Sequence, residues 1–107
     1  MFPERGLYHT CYSVPDIEMA RTSLGKAFRL SWTPVAPAAI RIRDAEGTVE
    51  DLTMQFCYSL EGPPYIELVQ GPAGHRFFGA QGAGHVHHVG LFVEDLGEAI
   101  EEYEEMG

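Results

Sequence analysis

His9, Glu67 and His88 are the residues of this 107-residue chain whose types and spacing can do chemistry together. His9 begins the stretch His9-Thr10-Cys11-Tyr12-Ser13-Val14-Pro15-Asp16, and His88 begins a related one, His88-Val89-Gly90-Leu91-Phe92-Val93-Glu94-Asp95. At an offset of 79 residues, His9 falls on His88, Val14 on Val93, Asp16 on Asp95 and Ala20 on Ala99. A duplicated unit whose copies each open with an inward-pointing imidazole points to a pseudo-symmetric metal site at the seam. Glu67 adds a carboxylate inside the otherwise apolar run Ile66 to Val69. Two imidazoles and a carboxylate suit a divalent zinc, iron, manganese, nickel or cobalt ion. Few further ligands would leave coordination positions for a substrate. Taken singly, each residue has a plainer reading as a half-buried strand histidine or a surface carboxylate. The repetition of the histidine and the apolar setting of Glu67 favour the metal.

Other reactive side chains are weaker candidates. Cys11 shares the face of His9 and reads as a buried thiol rather than a soft ligand. Strand alternation sends His85 and His87 to the face opposite His88, as packing or mouth residues. His75 and Arg76 are the better candidates for meeting an anionic substrate, while Arg41 and Arg43 read as a solvated face. Glu50 heads a stripe that is apolar at Leu52, Met54 and Phe56. A carboxylate at the rim of an apolar cavity can serve as a general base, and it can equally be a strand end in water.

These side chains need strands to aim them. Alternation predicts a strand over 7–14, with His9, Cys11 and Ser13 on one face. Asp16 suits the cap of a helix from Ile17 to about Phe28. Residues 32–38 form a loop or an edge because two prolines remove ladder donors. A strand from Ala39 to Arg43 leads through Asp44-Ala45-Glu46-Gly47, a hairpin turn in which glycine supplies a positive φ. A strand over 49–58 and another over 65–70 complete a strand–helix–three-strand module at 7–70. The glycine-rich segment 71–84 reads as a linker able to move over the site. A second unit, 85–107, begins with a strand running to Val93 and a helix capped by Asp95. The three further strands that would match the first unit are not among these residues, so the expectation is either a fragment of a longer protein or completion by another chain.

Composition bounds the function. One small domain is expected at this length. No apolar run approaches membrane-spanning length, and no signal peptide opens the chain. Two cysteines without a disulfide framework or a zinc spacing indicate a reducing cytoplasm. The formal net charge is −9. Glu94 to Gly107 hold seven acids and no base, which leaves −2 for the remaining 93 residues. The acidity reads as one solvated helix face, and it argues against nucleic acid or an anionic membrane as partner while saying little about a small-molecule substrate.

Three stretches, Tyr8 through Asp16, Gly62-Pro63-Pro64-Tyr65-Ile66-Glu67-Leu68, and His87-His88-Val89-Gly90-Leu91-Phe92-Val93-Glu94-Asp95-Leu96, resemble the vicinal oxygen chelate superfamily from Tyr8 to Gly107. That group includes glyoxalase I, methylmalonyl-CoA epimerase, extradiol dioxygenases and bleomycin-resistance proteins. The resemblance implies an α+β fold of paired βαβββ modules forming an incomplete barrel, with metal ligands at His9, Glu67 and His88. The family's fourth ligand, usually a Glu on the last strand of the second module, has no counterpart within these residues. A carboxylate at Glu67 resembles the lyase and epimerase branches, where an enolate is stabilised on the ion. Gly47-Thr48-Val49-Glu50 resembles the strand that supplies the epimerase base, which assigns catalysis to Glu50. The competing readings are a non-catalytic drug-binding module, whose cavity would be walled by Leu52, Met54, Phe56 and Trp32, and an Fe(II) extradiol-type dioxygenase. Family members often pair modules between chains, which implies a homodimer.

Overall fold

The structure, a computed structural model, describes residues 6–79 and 85–106, and for His85 the backbone only. Strand β1 (Leu7–Ser13) is followed by helix α1 (Ile17–Phe28). Strands β2 (Ala36–Arg43), β3 (Val49–Tyr58) and β4 (Tyr65–Gln70) follow, then a 3₁₀ turn (Arg76–Phe78), β5 (His85–Leu91) and helix α2 (Leu96–Met106). One curled five-stranded sheet has the order β2-β3-β4-β1-β5. Strands β1 and β4 are parallel and the other neighbouring pairs antiparallel. The fold class is therefore α+β, with one βαβββ module and the opening strand and helix of another forming half of an incomplete barrel.

The two units start in the same way. Asp16 Oδ1 accepts from Met19 N at 3.0 Å, and Asp95 Oδ1 accepts from Glu98 N at 2.9 Å. Each carboxylate satisfies a helix donor that has no intrahelical partner. In the hairpin between β2 and β3, Asp44 Oδ1 accepts from the Glu46 and Thr48 amides while Gly47 takes φ +86°, the freedom the sequence demanded. Strand β2 begins at Ala36, earlier than its alternation showed. Among the described residues it pairs on one side only, so Pro37 removes no interior ladder bond.

Period-two alternation divides the core between the two faces of the sheet. On the convex face, Val14, Ile17, Cys57 and Leu68 are buried with Leu24 and Trp32 against α1. On the concave face, Cys11, Leu52, Val69 and Phe78 are buried, with Ile40, Ile42, Met54 and Phe56 packed against them. Burying a side chain such as Leu68 or Val69 stabilises by about 1.5–3 kcal/mol. Phe78 comes from the glycine-rich segment, whose first part is packed rather than extended. Gly71 makes room for its ring, since a Cβ there would lie 2.1 Å from Phe78 Cδ2. Ser13 Oγ donates to the Phe78 carbonyl at 2.7 Å. Residues 80–84 of that segment fall outside the described residues. Among the described residues no helix is long and apolar enough to cross a membrane.

Candidate metal centre

Strand register assembles the site. Tyr58 on β3 lies beside Glu67 on β4, Glu67 beside Cys11 on β1, and Cys11 beside His88 on β5. Four strands thus contribute one row, and His9, two residues before Cys11, lies on the same concave face. His9 Nε2 is 2.9 Å from His88 Nε2 and 3.1 Å from Glu67 Oε1, and His88 Nε2 is 3.5 Å from that same oxygen. Ligands about 2.0–2.1 Å from a common ion are about 2.9–3.4 Å apart between octahedral and tetrahedral limits, so the donor triangle fits a divalent ion. The donor set, two imidazoles and one carboxylate, also fits.

Burial gives the site a floor and an open side. His9 and Glu67 are buried, whereas the His88 side chain is 44% exposed. The His9 ring sits edge-on to Tyr8 and Tyr58, with centroids at 4.8 and 5.6 Å. Gly90 leaves space for it, because a Cβ there would stand 2.5 Å from His9 Cε1. His9 Nδ1 is buried without a hydrogen-bond partner among the described residues, so the ring is oriented by packing and by the contacts of its Nε2. Cys11 and Tyr58 flank Glu67 across the β1–β4 and β3–β4 registers. Burial pushes both of those groups far up from their ordinary values, and the Glu67 charge adds to the effect, so both remain donors. His88 is held below the ordinary imidazole value by burial and by His87 and His9, against the opposing pull of Glu67. A neutral imidazole is the form that ligates.

The sheet departs from simple alternation at His87. Cys11 pairs with His88 but Tyr12 pairs with Val86, so His87 is the extra residue of a β-bulge. The bulge corrects the expectation that His87 faces away from His88, since the two Nδ1 atoms are 2.8 Å apart. The His87 ring stacks on Phe78 at 5.7 Å and meets Phe77 edge-on at 4.7 Å, and its Nε2 is 2.7 Å from the Phe77 carbonyl oxygen. Cys11, His87 and His88 form a second group whose ligand atoms lie close together.

Glu50 is not brought to this cluster. It precedes Tyr58 by eight residues, about 26 Å of strand. Its carboxylate meets His75 Nε2 at 3.0 Å. Phe78, buried against Leu52, occupies the concave stripe between them. His75 and Arg76 are engaged by carboxylates of this chain, Glu50 and Asp44. Arg41 pairs with Asp51 at 2.7 Å, and Arg43 is exposed. Trp32 belongs to the convex cluster against α1, so it does not wall a concave cavity with Leu52, Met54 and Phe56. Tyr58 and His87 are the site neighbours that sequence reasoning did not assign. Tyr58 continues the period-two stripe of Glu50, Leu52, Met54 and Phe56, but only the β3–β4 register shows that it meets Glu67.

The family model of the Glyoxalase/Bleomycin resistance protein/Dioxygenase superfamily matches residues 8–107. A comparison with curated proteins finds no match.

Proposed function

The chain belongs to the glyoxalase/bleomycin resistance/dioxygenase superfamily, and on that basis we propose that it is a metal-dependent isomerase or lyase acting on a small molecule with two neighbouring oxygens. The observation that carries this reading is the triangle of His9 Nε2, Glu67 Oε1 and His88 Nε2, with sides of 2.9–3.5 Å. His9, Glu67 and His88 would hold a divalent zinc, iron, manganese, nickel or cobalt ion, which would supply Lewis acidity for such a substrate. The chain's own residues do the rest. Buried His9 and Glu67 exclude water from one side, while the half-open His88 leaves an approach from the other. Tyr58 and Cys11, paired with Glu67 from the neighbouring strands, wall its carboxylate on either side.

The resemblance assigns proton transfer to Glu50. A base must come within about 3 Å of the proton that it removes, so this role requires a substrate that extends along β3 past Phe78. Glu50→Gln then abolishes turnover of such a substrate, while its amide oxygen still accepts from His75 Nε2; unchanged turnover removes Glu50 from the mechanism.

A binding-only module is less well supported, because the chain's own Phe78 occupies the apolar stripe that a drug would use. The remaining assignments are a reducing cytoplasm, supported by two free, buried cysteines, and a homodimer. Support for the dimer comes from an apolar groove of about 510 Å³ on the convex side of β5, lined by Val89, Leu96, Ile100 and Tyr103 among others. The net charge of −9 favours a small substrate over nucleic acid or an anionic membrane surface.

A further inference from the structure

We infer that His87 and the Phe77 carbonyl form a positioning pair that fixes the tautomer of His88 and aims its Nε2 lone pair at the cluster. The inference follows from donor and acceptor identities along one chain of contacts. A carbonyl oxygen only accepts, so His87 Nε2, 2.7 Å from Phe77 O, carries a proton. The other nitrogen of a neutral His87 is then an acceptor. His88 Nδ1, 2.8 Å from it, must be the donor. A neutral His88 with its proton on Nδ1 has an unprotonated Nε2, and that atom faces His9 and Glu67. The 2.9 Å contact between the two Nε2 atoms then requires His9 to donate from Nε2 when no ion is bound.

The support for this pair is built into the fold. The bulge at His87 puts both imidazoles on one side of β5. Phe77 and Phe78 hold the His87 ring by an edge-on and a stacked contact. The carbonyl is fixed by its own turn. His75 Nδ1 accepts from the Phe77 amide at 3.1 Å, so neutral His75 donates from Nε2 to Glu50. A continuous polar path therefore runs from Glu50 through the 3₁₀ turn to His88. In this path Glu50 braces the turn that orients the site. The tautomer stands on the hydrogen bonds alone, whereas its consequence for affinity rests on the metal reading above. An ordered partner on the remote nitrogen is the usual means of orienting a ligating histidine, and losing it lowers metal affinity about 10–100-fold.

The test is long-range ¹H–¹⁵N correlation on ion-free, ¹⁵N-labelled protein at neutral pH. The expected result is a pyrrole-type Nδ1 and pyridine-type Nε2 for His88, with the reverse for His87. His87→Phe keeps the ring packing, releases His88 to the Nε2–H form and weakens zinc binding by about 10–100-fold. His87→Asn retains an acceptor and restores both the tautomer and most of the affinity. An Nε2–H tautomer for His88 in the unsubstituted protein overturns the inference, without need of any variant. The expected tautomers combined with no zinc binding uphold the positioning pair and overturn the metal reading instead.

Discussion

Glu67 is a carboxylate buried in the middle of a sheet, where an unpartnered charge would cost several kcal/mol. Its contacts with His9 at 3.1 Å and His88 at 3.5 Å offset that penalty. The same burial governs the thiols. Cys57 is pushed up from 9.0 to about 11, chiefly by burial, and Cys11 is pushed up further. A raised native value means that the contribution to stability is complete below 9.0 and is lost as pH rises from 9.0 through about 11, where the unfolded thiols ionise first. Urea midpoints should therefore fall over that window, less steeply in Cys57→Ala, while iodoacetamide should label neither native thiol below pH 9.0. A flat profile, or rapid native labelling, would contradict the burial of these groups. His9, Glu67 and His88 were legible because residue type and the offset of 79 survive in a single sequence. The direction of His87 was not, because a bulge is a property of two paired strands and leaves no mark in the alternation of one.

At the scale of elements, both Asp-capped helices and the strands of the first module were readable from period and capping chemistry. The 3₁₀ turn was not. Glycines on either side of Arg76-Phe77-Phe78 read as linker composition, and only Gly71's fit under the Phe78 ring shows that part of the segment is core. Strand β5 and β1 meet at Gly90, where His9 leaves no room for a methyl group. Gly90→Ala should lower stability by about 1–3 kcal/mol through overpacking and reduce affinity for a divalent ion, since His9 must shift. Thermal unfolding and calorimetric titration of the same variant measure both effects. A variant that folds less stably yet binds zinc as tightly as the unsubstituted protein would remove His9 from the ligand set.

Across the whole molecule, the concave face of the sheet holds the site and the convex face carries both helices. On the convex side of β5, Val89, Leu96, Ile100 and Tyr103 remain exposed. Exposed apolar surface of this kind marks an association site, and a two-fold contact between copies would cover it. Sedimentation should give a dimer at micromolar concentration, reduced to monomer by Leu96→Asp with Ile100→Asp. A monomeric unsubstituted protein would end that assignment. The acids of α2 are compatible with it because they occupy the exposed residues between the apolar positions. The metal centre is the claim on which the functional reading depends. Its most direct test is cobalt(II) titration of ion-free protein, read by visible absorption and calorimetry. The account predicts stoichiometric binding that is lost in His9→Ala and in His88→Ala while circular dichroism shows the fold retained. No stoichiometric binding of cobalt, zinc, manganese, nickel or iron, or binding indifferent to both substitutions, would contradict it.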